Sequence, residues 1–547
     1  MEEHSSPLLK WGSLVVLSLA LAIIIIDTTL LNVSLATIIH DLHTNIQSIQ
    51  WVISAYSLTL AALTITGGRF GDIFGRKKMF VLGAIIFALG SFITSISNNV
   101  GTMIIGESII EGIGAALMLP ATSSLLLSTF HGRERAVAFG VWGGIAGGAA
   151  ALGPLLGGYL TTNYSWRWGF RINVFVAIIL VLSSFIIKEA IDDKERPLID
   201  WLGIVLSATG LVSLVFGVIE ASTYGWWKAK EVFAIGSHAF NFPANLSVVP
   251  FAIALGVIIL GFFLAWESKR EAANLTPLVS MHLFKNVRFR GGILATAIIS
   301  LGQAGLIFIL PVYFQAVVGL SAYDTGKALL PFSLSLLVVS PLGAILSGKI
   351  KPKFLIIAGL TINVLAVFVT RYFLKIDGTM WSLWPGLLLY GFGMGLTMSQ
   401  ISNYTLSAVP VHEAGEASGL NNTFRQVGSS FGSAVIGAIL LTSIPSFIST
   451  GIANSTVIPT AAKNPITEAV SAQSSNIEFG GAVQTGGKLS PTVTKEVATI
   501  SKQAIVDGNR LSLLYTALIA LLGLLAALFI PDVEIAGKKE KPLAAAH

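Results

Sequence analysis

Three carboxylic acids lie inside apolar stretches of this 547-residue chain. Asp27 interrupts the first long apolar run, and Glu107 and Glu111 lie four residues apart in the fourth. Residues four apart share one face of a helix, so the two glutamates are expected to point the same way. Ionisable groups in hydrocarbon cost several kcal/mol and by default mark ion or substrate paths. Desolvation and mutual repulsion favour the proton-bound form, so the predicted chemistry is reversible proton binding, with Asp27 and Glu111 as principal carriers and Glu107 as a secondary one.

The elements that carry these acids are predicted from composition. Hydrophobic residues make up 54% of the chain and charged residues only 11%, whereas a soluble domain carries roughly a quarter charged residues. The apolar runs are about 20 residues long, which is the length a helix needs to cross the hydrocarbon of a bilayer. They do not alternate with polar residues, so transmembrane β-strands are excluded. The predicted fold class is an all-α polytopic membrane protein.

Counting the apolar runs gives about fourteen predicted membrane helices. An even number places both termini on one side, and the Lys and Arg residues concentrate in loops on that side, which predicts cytoplasmic termini in a plasma (inner) membrane. The long loop 445–510 is rich in Ser, Thr, Ala and Gly, and this composition is compatible with a hairpin, with short amphipathic helices or with disorder. The predicted spans are 11–35, 51–70, 79–97, 101–127, 136–160, 171–188, 201–220, 248–266, 291–318, 325–347, 354–372, 383–407, 427–444 and 511–530.

Other function classes are disfavoured by what the sequence contains. The net charge of +6 does not indicate nucleic-acid binding, because the basic residues lie in short loops between apolar runs. The chain has no cysteine, and His412-Glu413 is not followed by the second histidine of a zinc helix. A phosphate-binding GxxxxGK[ST] loop does not occur. We therefore expect no enzyme activity, no cofactor and no metal site, with transport energy taken from an ion gradient or from the gradient of the substrate itself.

A weak internal repeat suggests two related halves. The segment 67–78 reads GGRFGDIFGRKK, and a degenerate echo of it, GAILSGKIKPK, occupies 343–353. Two repeated helical halves that hold substrate between them are a recurrent transporter plan. The predicted domains are an N-terminal six-helix bundle at 1–190, two inserted membrane helices at 191–285, and a C-terminal six-helix bundle at 286–547.

The segment 67–78 resembles the signature loop of the major facilitator superfamily. Its glycines permit a tight turn between helices, and Asp72 and Arg76 can form an ion pair. The resemblance implies that this loop latches one conformation of an alternating-access transporter that works as a monomer. The residues expected to form the latch are Gly68, Arg69, Asp72, Gly75 and Arg76, together with Arg425 at the cytoplasmic entry of the thirteenth span.

The segment AAALGPLLGG at 149–158 resembles the glycine-proline motif of exporters in the same superfamily. Its small residues let the fifth span pack closely on its neighbours, and its proline offers a kink. The resemblance therefore favours efflux over uptake. The motif residues are Gly153, Pro154, Gly157 and Gly158.

Three further segments, at 21–38, 166–173 and 414–428, are similar to the drug:proton antiporters with fourteen membrane helices. The similarity implies the major facilitator fold with two inserted helices between the six-helix bundles. The chain departs from that pattern in three places. Ala36 stands where proline is usual, Ser108 stands where the fourth helix usually carries an arginine tied to proton coupling, and Glu111 stands where glutamine is common. The coupling mechanism carried over from the family therefore lacks one of its usual groups.

The predicted function is proton-coupled export of amphipathic compounds, cationic or hydrophobic drugs foremost, across the lipid bilayer. Aromatic faces and flexible methionines suit such compounds. An exporter of one endogenous metabolite (a siderophore, lipid precursor or amino acid) is the alternative within the same fold, and a non-transporting sensor or scaffold is the alternative of another class. The predicted binding residues, of which we expect about a third to touch substrate, are Tyr56, Trp142, Phe308, Tyr313, Gln315, Met394, Met398, Gln400 and Asn403.

Overall fold

The computed structural model describes residues 7–130, 132–189, 199–235, 238–240, 242–273, 275, 277–347, 349–406, 408–409, 414–472 and 490–531. Long helices dominate these residues, as expected for runs of apolar side chains whose backbone groups must be satisfied internally in lipid. We call the end of the bundle at which the first helix begins, at Pro7, the terminal face, and the other end the opposite face.

The N-terminal group of helices runs from Pro7 to Ser183. A π-helical stretch, Ile104–Glu111, interrupts its fourth crossing between two α-helical pieces. Prolines lie inside α5 and α6. The α-helices are α1 (Pro7–Asp41), α2 (Ile46–Phe74), α3 (Arg76–Ser95), α4 (Val100–Met103), α5 (Gly112–Thr129), α6 (Gly132–Asn163) and α7 (Arg167–Ser183).

Two long helices follow and form a separate antiparallel pair. They are α8 (Trp201–Ile219) and α10 (Val248–Ala272), and they pack against each other, while α8 also contacts α2. The connection on the opposite face contains α9 (Ala221–Tyr224) and a two-stranded antiparallel hairpin, β1 (Phe233–Ile235) with β2 (His238–Phe240), in which Phe233 is opposite Phe240.

The C-terminal group of helices contains the longest element that the structure describes, the 41-residue α16. A second π-helical stretch, Tyr313–Val317, ends the first crossing of this group. The α-helices are α11 (Val287–Val312), α12 (Ala322–Ala328), α13 (Leu330–Leu346), α14 (Pro352–Phe373), α15 (Trp384–Leu406), α16 (Ala414–Asn454), α17 (Thr460–Ala472) and α18 (Pro491–Leu528).

The two groups of helices meet through α2 against α16 and α6 against α12 and α13. Four hydrogen bonds cross between the two groups. Between α2 and α16, the Gln50 amide donates to the Ala434 carbonyl (3.1 Å), and the Ser54 and Ser433 hydroxyls are 2.9 Å apart. Elsewhere, the Gln315 amide donates to the Val33 carbonyl (2.9 Å), and the Tyr323 N–H donates to the Thr162 hydroxyl (3.1 Å). All four lie from the middle of the bundle toward the opposite face. The two groups are therefore joined on that side.

The predicted fold class is confirmed. Twelve helices among the described residues are long and apolar enough to cross a membrane. The predicted span 136–160 falls within α6, and the predicted span 383–407 contains α15; neither helix is among those twelve. The count of fourteen spans therefore stays a prediction.

The long loop predicted at 445–510 is largely helical where the structure describes it. The helix α16 continues through Pro445 to Asn454, α17 follows it, and α18 begins at Pro491, about twenty residues before the predicted span at 511–530. Ser490 caps α18 by accepting the Val493 N–H. The prediction at 511–530 marked only the apolar end of this helix, because its first five turns are polar.

Candidate functional site

The three carboxylic acids predicted to act together do converge. One carboxylate oxygen each of Asp27, Glu107 and Glu111 lies within 4.8 Å of the others, and all three side chains are buried. The amide of Asn173 donates hydrogen bonds to Asp27 Oδ1 (2.7 Å) and Glu111 Oε1 (3.1 Å). We call these four residues the carboxylate cluster.

The cluster is assembled from α1, the π-helical stretch and α7. π-Helical turns are rare and often occur at functional sites, and this one carries both glutamates. Close packing of α3 against it requires two glycines: a Cβ added at Gly90 would meet the backbone of Glu111, and one added at Gly106 would lie 2.8 Å from the Thr94 nitrogen. The fit of α3 on the π-helical stretch therefore depends on small residues in both elements.

The segment 166–173 positions the fourth member of the cluster. Trp166 is fully buried at the start of α7, and its indole N–H donates to Asp41 Oδ2 (3.0 Å). Arg167 donates to the same carboxylate oxygen (3.4 Å) and to the Ser97 carbonyl (2.9 Å). These contacts fix the first turn of α7 at the opposite face and so place Asn173, two turns further along, between Asp27 and Glu111.

Hydrogen bonds do not fully satisfy the cluster. Among the described residues, Asp27 Oδ2, Glu107 Oε2 and Glu111 Oε2 are buried without a hydrogen-bond partner, as is the Tyr56 hydroxyl. Three like charges in a dry site repel strongly, so the arrangement needs bound protons or a cation to balance it. Its ligands are all oxygens, which suit hard cations as well as protons.

A cavity of about 330 Å³ lies beside the cluster, between the two groups of helices. Glu107 reaches its wall, whereas Asp27 and Glu111 are not lining residues. Polar side chains of the wall come from α1, α2, α11, α13 and α16, and the remainder of the wall is mostly aliphatic and aromatic. Its polar and aromatic lining residues include Thr28, Thr29, Asn32, Tyr56, Ser57, Ser300, Gln303, Phe308, Phe332, Ser333, Ser340, Arg425, Gln426, Ser429 and Ser433.

Three of the nine predicted binding residues lie on this wall: Tyr56, Phe308 and Met398. Whether they contact substrate stays a prediction. The side chain of Asn403 lies outside the described residues.

The structure places the other five predicted binding residues off this wall, and whether they contact substrate also stays a prediction. The Tyr313 hydroxyl donates to the Lys375 carbonyl (2.9 Å), and the Gln315 amide bonds to the backbone of α1 near the opposite face. Met394 and Gln400 are buried between helices, and Trp142 packs against the apolar core of the N-terminal group. A polar or aromatic side chain in an apolar run indicates burial but not which neighbour it will face.

Arg425 also differs from expectation. It was predicted at the cytoplasmic entry of a span beginning at residue 427, but α16 begins at Ala414, so Arg425 lies about three turns inside the helix and on the cavity wall. Its predicted role as a latch residue stays untested, while its position makes it part of the candidate site.

The predicted latch segment is a helix junction rather than an open loop. The helix α2 continues to Phe74, α3 begins at Arg76, and Gly75 alone separates them with a φ of 108°. Glu189 caps α3 there: its two carboxylate oxygens accept the N–H groups of Lys77 (2.9 Å) and Lys78 (3.3 Å). A Cβ at Gly75 would lie 2.8 Å from Glu189 Oε2, so this position needs glycine both for its φ and for space.

The other predicted latch residues surround this junction. Gly68 faces Pro120 of α5, and Arg76 Nη1 donates to the Ser124 carbonyl (3.5 Å). Arg69 lies near Glu416, at the start of α16. The side chain of Asp72 lies outside the described residues, so its pairing with Arg76 stays a prediction.

The glycine-proline segment of α6 lies where two helices approach it most closely. Added Cβ atoms at Gly153 and Gly157 would collide with Thr29 and Leu30 of α1, and one at Gly158 would collide with Tyr323 of α12 (2.6 Å). Pro154 faces α12 as well, because its carbonyl would meet a Cβ at Gly326. This segment therefore joins the two groups of helices while it packs against the helix that carries Asp27.

Sequence reasoning missed several residues of the site. Asn173 belonged to a recognised segment but was not assigned a role, and nothing in the sequence showed that its amide would meet Asp27. The cavity residues Thr28, Thr29 and Asn32 could have been found, since the two threonines lie four and three residues before Asn32 and so share a face of α1 with it. Gln303 and Gln426 carried no such pattern.

Comparison with known proteins identifies the family to which this architecture belongs. A family model described as Major Facilitator Superfamily matches residues 17–433. The chain is 31% identical over 437 residues to a puromycin resistance protein of Streptomyces alboniger, covering 79% of this chain and 82% of that protein. It is 29% identical over 433 residues to the tetracenomycin C resistance and export protein of Streptomyces glaucescens, covering 79% and 76%.

A solved structure shows the same fold. It is that of a bacterial homolog of the human lysosomal transporter Spinster, in an inward-facing and unoccupied conformation, with a TM-score of 0.58. The match covers 96% of this chain and 98% of that chain at 17% sequence identity. Likeness at that identity concerns the fold alone.

Proposed function

This chain belongs to the major facilitator superfamily, and we propose from that premise that it is a proton-coupled efflux transporter for amphipathic compounds. Within the superfamily we assign it to the drug:proton antiporters with fourteen membrane helices. The observation that carries the proposal is the carboxylate cluster, in which three buried acids lie within 4.8 Å of one another beside a cavity between the two groups of helices.

The cluster has the properties that proton coupling requires. Each acid leaves one buried oxygen without a partner, and the repulsion between ionised acids makes proton binding favourable. Glu107 connects the cluster to the cavity, so a bound compound or entering water can change the balance between protonated and ionised forms. Because the three acids lie so close together, a proton bound by the cluster is shared among them rather than held by one acid. We propose Asp27 and Glu111 as the principal carriers and Glu107 as the group that meets the cavity.

Alternating access supplies the transport step. The hydrogen bonds that join the two groups lie toward the opposite face, and the glycine contacts of α6 with α12 lie on the same side. We propose that the units that move are residues 1–190 and 286–547, with 191–285 as an inserted pair, and that the junction at Gly75 latches one state. Such rocking about a central site is a common transporter plan.

The direction of transport is proposed from two observations. Relatives at 29% and 31% identity are named for resistance and export, and the α6 segment resembles the exporter motif. We place the protein in the plasma (inner) membrane with cytoplasmic termini, because Lys and Arg concentrate in loops of the terminal face. Export of one endogenous metabolite stays the alternative, and a sensor or scaffold would have no need of buried acids beside a cavity.

The test uses purified protein in proteoliposomes that hold a proton gradient. Adding amphipathic compounds of either charge, with ethidium and 4-(1-pyrenyl)butyrate as the first probes, should cause proton movement that depends on the compound. Asp27→Asn should abolish it. The matched control is Glu271→Gln, a carboxylate change outside the cluster, which should leave it intact. Proton movement that persists in Asp27→Asn would reject Asp27 as a carrier, and a response that follows a sodium gradient instead of pH would reassign the coupled ion.

A further inference from the structure

The cavity wall carries one cation, and it faces the space that a transported compound would occupy. Arg425 is the only basic residue among the lining residues that the structure describes. Its guanidinium has no carboxylate partner and no hydrogen-bond acceptor within the described part of the chain. A guanidinium that is removed from bulk water without a partner is costly, and its five N–H donors match a carboxylate or a similar oxyanion.

The residues around Arg425 also favour an oxyanion. Ser429 and Ser433 follow it at four-residue intervals, so α16 presents one polar stripe to the cavity. Gln426 on the same helix and Gln303 on α11 also line the wall. The Ser429 hydroxyl and the amides of Gln303 and Gln426 can donate hydrogen bonds beside the guanidinium, whereas the Ser433 hydroxyl is already hydrogen-bonded to Ser54. The wall contributed by α11 and α16 therefore offers donors to an acidic group and no carboxylate to a cation.

The carboxylates near the cavity do not offset this preference of the α11 and α16 wall for an acidic group. Of the carboxylate cluster only Glu107 lines the cavity, and it belongs to the N-terminal group of helices, while Arg425 belongs to the C-terminal group. Asp27 and Glu111 are held behind the wall by Asn173. A permanent cation in the cavity would meet an unpaired positive charge and a single acid that shares protons with its neighbours. An organic acid would instead meet the guanidinium of Arg425, which has no ion-pair partner among the described residues.

We infer that the transported compound carries an acidic group, a carboxylate or comparable oxyanion, which Arg425 binds while the apolar body lies against Ile24, Ile25, Phe308 and Leu336. This inference rests on the proposed function and narrows its substrate class. It replaces the expectation of cationic drugs with amphipathic organic acids. Arg425 is then a specificity-determining residue of the binding site and not only a feature of the terminal face.

The experiment compares two probes that share one aromatic body and differ in charge, 4-(1-pyrenyl)butyrate and 4-(1-pyrenyl)butyltrimethylammonium. Binding to the purified full-length chain is followed by energy transfer from its 11 tryptophans to pyrene. Wild type should bind the carboxylate more tightly than the ammonium probe. Arg425→Gln should weaken carboxylate binding by roughly tenfold to a hundredfold, the value of one charged hydrogen-bonded contact, and should not weaken binding of the ammonium probe.

Two variants keep the result interpretable. Arg425→Lys retains the charge without the planar fork and should lose less carboxylate affinity than Arg425→Gln. Arg290→Gln changes an exposed arginine of α11 outside the cavity and should change neither affinity. Tighter binding of the ammonium probe by wild type, or carboxylate binding that is equal in wild type and Arg425→Gln, would overturn the inference.

Transport of the same two probes in proteoliposomes separates this inference from the function it rests on. Uptake of the carboxylate probe that requires both a proton gradient and Arg425 supports the inference. Gradient-driven transport that prefers the ammonium probe, or that ignores the charge at residue 425, rejects the inference and leaves the exporter intact. Transport of neither probe, by protein that binds them and is folded by size-exclusion chromatography, counts against the proposed function itself.

Discussion

Two sets of carboxylates in this protein differ in how they are satisfied. In the carboxylate cluster each acid leaves one buried oxygen without a hydrogen-bond partner among the described residues. At the terminal face Glu271 accepts the N–H groups of Met281 (2.6 Å) and His282 (3.2 Å), each through its own oxygen. We propose that the first set exchanges protons, whereas the second holds backbone segments together.

The terminal-face set has two further members. Glu416 accepts the N–H (2.6 Å) and the hydroxyl (2.9 Å) of Ser280, and Glu189 caps the first turn of α3. Glu271 and Glu416 reach the same short segment, 280–282, from α10 and α16, so they fasten the inserted helix pair to the C-terminal group. The N–H donors around Glu271, Glu416 and Glu189 give these acids a structural role, while proton exchange by the carboxylate cluster stays a proposal.

The largest difference between the two sets of carboxylates should be seen with Glu111→Gln. This change removes an acid from the cluster but keeps its shape, so compound-driven proton movement should fall by about tenfold or more while the melting temperature is unchanged or higher. Proteoliposome proton flux and a thermal melt of the same preparation measure the two effects. A large loss of thermal stability together with normal flux would invert the comparison.

Glu271→Gln should show the reverse pattern. Two backbone N–H groups lose a charged acceptor, which should cost about 1–3 kcal/mol and lower the melting temperature by a few degrees at most in a chain of this size. Proton flux should stay near the wild-type value. Thermal unfolding followed by tryptophan fluorescence measures the first effect. If flux falls as far as in Glu111→Gln, the terminal face is part of the coupling path.

A smaller and local effect is expected from Glu189→Gln. The side chain caps α3 at its positive N-terminal end, and a neutral cap there should cost about 0.5–1 kcal/mol. The amides of Lys77 and Lys78 should exchange hydrogen faster, while amides in the middle of α3 keep their protection. Hydrogen-exchange mass spectrometry resolves the two regions, and uniform loss of protection along α3 would contradict a local capping role.

The smallest effect concerns pH at the terminal face. Burial raises the pKa of Glu416 above its usual value of 4.5, although hydrogen bonds from Ser280 and the charges of Arg69 and His282 lower it in part. A folded pKa above the unfolded one means that the free energy of unfolding falls as pH rises from 4.5 through the folded pKa, and then levels off. The difference between the melting temperatures of Glu416→Gln and wild type should therefore change across that interval. A difference that is constant with pH would show that Glu416 does not titrate there.

Some features of the fold could be predicted from the sequence because they depend on composition and local chemistry. Apolar runs of the right length indicated membrane helices, and the fold class was confirmed. Glycines such as Gly75 and Gly158 marked close approaches because only the absence of a Cβ permits them. The helical spacing of Glu107 and Glu111 indicated a shared face, and the structure brings both to Asp27.

Helix ends were predicted less well where polar residues continue a membrane helix. Hydropathy fell at Asn421, Asn422 and Arg425, so the predicted span began too late and the arginine was assigned to an entry loop. In the structure the helix continues because these residues face a cavity or a neighbouring helix rather than lipid. Hydropathy measures the cost of contact with lipid and cannot register a polar face that lipid never reaches.

The sequence alone determined that buried acids exist and lie on helices, because their chemical type and spacing are properties of the chain. Only the tertiary structure decided their partners: Asn173 from α7 satisfies two of them, one reaches the cavity, and Arg425 faces that cavity across from them. These pairings join residues far apart in the chain: Asn173 lies 146 positions from Asp27 and 62 from Glu111. They depend on which helices pack against each other, and the polarity of individual residues does not predict that.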